Sequence, residues 1–545
     1  MKNYPFYACN RYDTFQAFIE GMDKLYGELP AITWYDGQGA SATRTYGQMA
    51  ADVYAVAEAL IERGLAGKHA AVISQNSYMA VVSMLAVICG GGVAVPLDIE
   101  QDAATLKSMA LFADAELLFI SDVLLERAGG TGGFDGRPVV VLSDDASLAG
   151  GFGELLAEGN ALLAARGRKC TGIRLDPGQT ALIVYTSGTT SVSKPVMLSH
   201  RAVLANASGA TELVQMPRRV YNSLPMYHVY SFTCGLLSNM VTGCEICFNG
   251  DIRFMMRDLI TFKPSAMVIV PLIAEVLCKK LVDFADTVMG NKGFTAFVKK
   301  ASRGAFKYDP DLVAIKEKIV PGLNLMICGG AHLSVTIAKV LYKFGISVLE
   351  GYGITECAPI ISVNRNEYQK LGTVGILMPG YDIKFDGEEI LVRGVCVMNG
   401  YYKQPEMTAE VLNDGWFRTG DLGYLDADGF LSITGRKKNL IVLKNGKKVS
   451  PEELEELLAG LPLAKEVMVY GSSVGNANDD VVPAVSVYPD PEATKGMSAY
   501  EILSELQKSI DAINEKLAAY KQIRLINIRE KELPKTSTKK IKRTS

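Results

Sequence analysis

From Gly47 to Leu349 the chain alternates helical patterns with short aliphatic runs, and this alternation restricts the fold to parallel sheets covered by helices. Gly47 to Gly64 reads as an amphipathic helix, and His69-Ala70-Ala71-Val72-Ile73 as a strand. Thr105 to Ala113 is helical, Glu116 to Ile120 a strand, and Val139 to Leu142 another. Ala266 to Val270, Leu323 to Cys328 and Ser347 to Leu349 continue the series. The longest apolar stretch, Tyr78 to Leu97, is long enough to raise the question of a membrane span. Gly90-Gly91-Gly92 interrupts it, so it reads as helix, turn and the short strand Val93 to Val95.

The texture changes after Gly375. Asp382 to Phe385 and Glu389 to Arg393 flank Asp386-Gly387-Glu388, a hairpin signal. Gly423 to Leu425 and Phe430 to Ile433 flank a second turn, Asp426-Ala427-Asp428-Gly429. Beyond Lys438 comes the strand pattern Leu440 to Leu443. Ser450-Pro451 follows, with Glu453 three residues after the serine, which is a capping box. Tyr500 to Tyr520 is mostly helical. At 545 residues the chain exceeds one ordinary core. The expected division is residues 1–437, with a β-rich part at about 375–437, and an α+β module at 438–545.

The segment richest in chemistry is Tyr185-Thr186-Ser187-Gly188-Thr189-Thr190-Ser191-Val192-Ser193-Lys194, which leaves the aliphatic run Ala181 to Val184. Short hydroxyls, one glycine and one lysine can offer backbone N–H groups, hydroxyl donors and a cation to a polyphosphate. It is not a Walker A loop: Ser193 stands where glycine is needed, and Pro195 where Ser or Thr would hold magnesium.

Further motifs follow in order: Tyr352-Gly353-Ile354-Thr355-Glu356, Trp416-Phe417-Arg418-Thr419-Gly420-Asp421, Gly435-Arg436-Lys437-Lys438, and Leu533-Pro534-Lys535-Thr536-Ser537-Thr538-Lys539-Lys540-Ile541. Together they resemble the motifs of the adenylate-forming superfamily, and among its members the bacterial long-chain fatty-acid acyl-CoA synthetases. The resemblance runs from about Thr45 to the C-terminus. It implies an α/β fold: a large N-terminal region of parallel sheets with a β-rich subdomain, then a small mobile α+β domain. It also implies a ligase that joins a carboxylic acid to ATP as acyl-AMP and then passes the acyl group to CoA. Mg2+ is the implied metal, with ATP and CoA as co-substrates and a medium- to long-chain fatty acid as the acid.

The resemblance assigns roles residue by residue. Lys540, Glu356, Thr186 and His228 form the implied catalytic set, with Glu356 also the metal ligand, since a hard cation takes oxygen ligands. Thr186, Ser187, Gly188, Thr189, Thr190, Lys194 and Thr355 serve the phosphates. Gly351, Tyr352 and Gly353 join the nucleotide site, with Tyr352 offering its ring to the adenine. Asp421 accepts from the ribose hydroxyls, and Arg436 adds a donor nearby. Gly329-Gly330-Ala331 resembles the segment between nucleotide and acyl group, where small residues permit close approach. His228, in Leu224-Pro225-Met226-Tyr227-His228, lines the acyl or thiol pocket, and the acyl pocket also takes Gly330 and Phe232, which falls where long-chain synthetases carry an aromatic gate. Lys438 is the implied hinge. Ser191, Pro195 and Lys539 replace glycines of the family's commonest pattern.

Composition narrows the rest. With 48% hydrophobic and 21% charged residues the chain reads as a globular protein of ordinary make-up. A net charge of −3 gives no global field for nucleic acid, and four histidines argue against a His-rich metal site. Ten cysteines are scattered, and the Cys244/Cys247 pair has no second pair nearby, so ordinary buried thiols are expected there. Met1-Lys2-Asn3-Tyr4-Pro5 leads into polar residues, and with the cysteine usage this points to the cytoplasm. Small-molecule substrates are expected, and neither nucleic acid nor a transmembrane segment. Peripheral membrane contact, a carrier protein as acyl acceptor and the oligomeric state stay open. A non-catalytic acyl-nucleotide binder is the rival from another class, and a phosphate-loop NTPase ranks third.

Overall fold

The aliphatic runs become strands because each is short, rich in β-branched residues and bounded by turn residues. A computed structural model describes residues 4–35, 39–186, 193–248, 251–290, 308–473, 481–535 and 541–543. Its described residues fall into two compact units, one made of 4–186, 193–382 and 393–417, the other of 383–392 and 418–543. The class is mixed α/β, with a large N-terminal part of largely parallel sheets and helices and a smaller C-terminal part.

The first unit holds two sheets. One has seven strands in the order Gly400–Tyr401, Pro195–Ser199, Thr180–Tyr185, Val93–Pro96, His69–Ile73, Ala115–Ser121, Val139–Leu142. It is parallel from Thr180–Tyr185 onward and antiparallel at the two strands before it. The other has nine strands: Ile376–Leu377, Ile360–Val363, Ser347–Gly353, Leu325–Cys328, Ala266–Ile269, Arg219–Asn222, Glu245–Cys247, Pro30–Tyr35 and Ser41–Thr45. Its interior pairs are parallel and both ends are antiparallel.

The helices start where polar side chains can take their free N–H groups. Thr45 and Gln48 form a capping box on Tyr46–Glu62, and Asp102 caps Ala103–Phe112 through Thr105 N at 2.8 Å. The apolar stretch after Ser77 is the helix Tyr78–Cys89, buried almost all round, and then the strand Val93–Pro96. Among the described residues no helix is long and apolar enough to cross a membrane. Cys244 and Cys247 are buried free thiols, one before and one at the end of the Glu245–Cys247 strand.

In the second unit residues 383–392 form most of a hairpin, and 418–425 pairs antiparallel with Leu431–Arg436. Further on, Ala464–Ser473, Val481–Pro489 and Leu525–Ile528 make a three-stranded sheet. Val449, Leu454, Val469, Val485, Leu506 and Ile510 form its core with the helices Pro451–Leu457 and Ala499–Asn514. The capping box at Ser450 is only half formed. Ser450 Oγ accepts from Glu453 N at 3.5 Å, but the Glu453 carboxylate takes Lys521 Nζ at 2.6 Å instead of reaching back. An ammonium within reach is the stronger partner for a carboxylate than a backbone N–H.

Candidate active site

The hydroxyl-rich segment after Tyr185 connects two antiparallel strands. Thr180–Tyr185 pairs with Pro195–Ser199, so the loop joins two strands, whereas a Walker A loop joins strand to helix. Its foot is closed twice: Thr186 N donates to Lys194 O at 3.0 Å, and Lys194 N donates to Thr186 Oγ1 at 3.4 Å. Ser187, Gly188, Thr189, Thr190 and Ser191 lie outside the described residues. Pro195 sits at the first position of its strand, where a missing N–H is tolerated, and its carbonyl accepts from Tyr402 N at 2.8 Å.

Glu356 stands on a short 3₁₀ turn, Thr355–Cys357, just past the strand Ser347–Gly353 that carries Gly351 and the half-buried Tyr352. The chain doubles back so tightly that a Cβ on Gly353 would lie 2.2 Å from Pro359 O. Ile354 N donates to that same carbonyl at 2.9 Å. Distant side chains then hold the turn. Asn206, fully buried on the helix His200–Leu213, donates from Nδ2 to Cys357 O at 3.0 Å and Ile360 O at 2.8 Å, and Oδ1 accepts from Ile360 N at 3.1 Å. Tyr381 OH donates to Cys357 O at 2.8 Å, and Met398 N to Glu356 O at 2.8 Å.

The Glu356 carboxylate accepts from Tyr401 OH through Oε1 at 2.8 Å. Burial and the neighbouring Glu356 charge push the Tyr401 phenol upward, so it stays a donor at any ordinary pH. Lys194 Nζ lies 5.0 Å from the centroid of the same ring, in cation–π range. Among the described residues no lysine or arginine pairs with Glu356, and no cluster of three or more His, Cys, Asp or Glu could hold a metal alone. A half-buried carboxylate with no protein cation fits a hard divalent ion that also takes phosphate oxygens and water.

At the C-terminal ends of the central strands, Gly329 is buried and Gly330 takes a positive φ of 88°. The hydroxyl end of the Tyr230 ring packs against Gly329, and its hydroxyl donates to Ile327 O at 3.0 Å and Ile269 O at 3.3 Å. A Cβ at position 329 would meet that ring at 3.0 Å, which accounts for the glycine. His228 is half-buried beside Tyr227, and Phe232 is buried on a stretch of π-helix, Ser231–Leu237. Ala331 is exposed.

The remaining expected residues belong to the second unit. Asp421 and Arg436 face each other across adjacent strands, Arg436 Nε donating to Asp421 Oδ1 at 2.7 Å. Asp421 is 2% exposed, and its N–H donates to Thr419 Oγ1 at 3.0 Å. Beside them Arg418 and Lys437 both bind Glu389, the lysine at 2.8 Å. Burial opposes ionisation of Glu389, but these two cations outweigh it and hold its carboxyl below the usual range. Lys438 lies on the short 3₁₀ turn Lys437–Asn439, and Lys540 falls outside the described residues.

Sequence reasoning missed Asn206, Tyr230 and Tyr401. Tyr401 lies 45 residues from Glu356 and Asn206 lies 154 residues from Ile360, so no local pattern could pair them. The one available signal was compositional: an Asn inside an otherwise aliphatic helical face demands buried partners.

The fold is of the mixed α/β class, with a large unit of largely parallel sheets and helices and a smaller second unit. The sequence matches the AMP-binding enzyme family over residues 23–402 and the AMP-binding enzyme C-terminal domain over 438–545. The chain belongs to the AMP-binding enzyme family. It is 28% identical over 523 residues to the long-chain-fatty-acid–CoA ligase FadD15 of Mycobacterium bovis, covering 88% of this chain and 84% of that protein. It is 30% identical over 390 residues to a long-chain-fatty-acid–CoA ligase of Escherichia coli, covering 68% and 61%. Its fold matches o-succinylbenzoate CoA synthetase (MenE) of Bacillus subtilis, solved with ATP and magnesium, with a TM-score of 0.72 at 21% identity over 96% of this chain and 98% of that one.

Proposed function

We propose that this chain is an AMP-forming acid–thiol ligase whose acid is a medium- to long-chain fatty acid and whose thiol is CoA. The acid's carboxylate oxygen attacks the α-phosphorus of ATP, forming the acyl–phosphate bond and expelling pyrophosphate. The thiol sulfur then attacks the acyl carbonyl, loses its proton and expels AMP. The observation that supports the reading is the Glu356 carboxylate, held by Tyr401 and, among the described residues, paired with no lysine or arginine, beside the hairpin that carries Lys194.

The first step brings an anion to a polyanion, so donors and cations must gather where charge accumulates. Thr186 and Lys194 stand at the foot of the hairpin loop, with Ser187, Gly188, Thr189 and Thr190 as its further donors. Glu356 would hold Mg2+, which when bound neutralises phosphate charge. Asp421 and Arg436 take the ribose, Tyr352 the adenine, and Gly329-Gly330-Ala331 with His228 and Phe232 the acid. Lys540 supplies positive charge during adenylation only, and Lys438 is the pivot that removes it. The fatty-acid assignment rests on what the two ligases of similar sequence are named for.

A panel of acids from acetate to palmitate, with benzoate and an amino acid, tests the reading by pyrophosphate release with and without CoA. Each buried CH₂ is worth about 0.8 kcal/mol, so the specificity constant should rise about fourfold per methylene and then level off. Best activity on acetate, benzoate or the amino acid overturns the fatty-acid assignment. Thioester formed on a carrier protein but never on CoA overturns the acceptor.

A further inference from the structure

Tyr401 belongs to none of the motifs that carry the family resemblance, yet it touches two residues that do. Its strand, Gly400–Tyr401, pairs antiparallel with Pro195–Ser199, setting Gly400 opposite Met197 and Tyr401 opposite Val196. Asn399 N donates to Met197 O at 2.9 Å and Tyr402 N to Pro195 O at 2.8 Å, so this short edge strand is fastened at both ends to the segment leaving the hairpin loop. Tyr401 N donates to Thr408 Oγ1 at 2.9 Å, which fixes its own backbone. Three residues earlier Met398 N donates to Glu356 O at 2.8 Å. Residues 398–402 therefore clamp the Glu356 backbone on one side and the hairpin on the other.

The side chain completes the clamp. Its hydroxyl donates to Glu356 Oε1 at 2.8 Å, and Lys194 Nζ sits 5.0 Å from the centre of its ring. A glutamate has three side-chain torsions and loses much freedom when fixed. One strong, charge-assisted hydrogen bond from a buried, rigid tyrosine removes that freedom before any ligand arrives. With Oε1 engaged, the direction of Oε2 is set as well.

We propose that Tyr401 is a positioning residue for adenylation: its hydroxyl orients Glu356 for the divalent cation, and its ring seats Lys194 for the phosphates. This rests on the reading of Glu356 as the metal ligand. The two contacts act on different ligands and are separable. The hydroxyl acts on metal affinity, where partners that orient a ligating carboxylate are typically worth 10–100-fold. The ring acts on nucleotide affinity even without metal.

The test is Mn2+ binding to the full chain with a non-hydrolysable ATP analogue, read by electron paramagnetic resonance and so independent of turnover. Tyr401→Phe keeps the ring and should weaken Mn2+ by about 10- to 100-fold. It should leave metal-free binding of the analogue, the acid KM and thioester formation from supplied acyl-AMP unchanged. Tyr401→Leu should lose both effects, weakening the analogue without metal as well. Glu356→Gln is the control. Loss of Mn2+ in Glu356→Gln with wild-type affinity in Tyr401→Phe overturns the proposal. Retained Mn2+ affinity in Glu356→Gln overturns the metal reading beneath it. Equal metal-free binding by the Leu and Phe variants removes the role given to the ring.

Discussion

Replacing Asn206 should damage the turn that carries Glu356 although position 206 is far from it in sequence. The amide makes three hydrogen bonds to that turn and is fully buried. Each bond contributes about 1 kcal/mol net, so Asn206→Ala should cost about 3 kcal/mol of stability. Its partners are backbone groups of Cys357 and Ile360: the Ile360 N–H and carbonyl lose their side-chain partner, and Cys357 O keeps only Tyr381 OH. Asn206→Asp separates this account from one based on size. Aspartate has the same shape and keeps the acceptor for Ile360 N, but it turns an oxygen toward two carbonyls. It should be at least as damaging as alanine. Urea unfolding, followed by circular dichroism, gives the stability; ATP–pyrophosphate exchange with a fatty acid gives adenylation. A misplacement of about 1 Å can cost about 10²-fold in rate, so exchange should fall by that order in both variants. An aspartate variant as stable and active as the parent, or an alanine variant losing less than about 1 kcal/mol, would refute the reasoning.

Three further outcomes are expected. Gly353→Ala should lower both stability and pyrophosphate exchange, because its Cβ would meet Pro359 O at 2.2 Å and overpacking of this kind costs about 1–3 kcal/mol; calorimetry and the exchange assay check it. Lys540→Ala should cut adenylate formation by about 10²–10³ yet leave thioester formation from supplied acyl-AMP nearly intact, and equal damage to both would remove the assignment. His200, fully buried and accepting from Phe15 N at 3.3 Å, is held down by burial to about 4 from an ordinary value of 6.5. The unfolded chain then binds the extra proton between those values, so its contribution is complete above pH 6.5 and is lost as pH falls toward 4, at about 1.4 kcal/mol per unit. Urea unfolding at pH 7.5 and 5.5 should show a smaller difference in His200→Gln than in the parent; an identical difference would count against it.

The sequence by itself determined what depends on neighbours along the chain. Strand runs such as Ala115–Ser121 and the amphipathic Tyr46–Glu62 follow from hydrophobic periodicity, which a few residues suffice to express. The hairpin around Asp386-Gly387-Glu388 follows from turn chemistry, and the hydroxyl-rich segment after Tyr185 and the turn before Glu356 are contiguous words. Local reasoning overreached at Ser450, where Glu453 met a lysine 68 residues away. Only the tertiary structure decided strand order, which places Gly400–Tyr401 beside Pro195–Ser199 and so brings a tyrosine to Glu356 and Lys194. It alone decided that Asn206 braces the Glu356 turn and that Tyr230 covers Gly329. The physical reason is that a buried polar group must find a partner somewhere, and the chain alone does not say where until packing closes the distance.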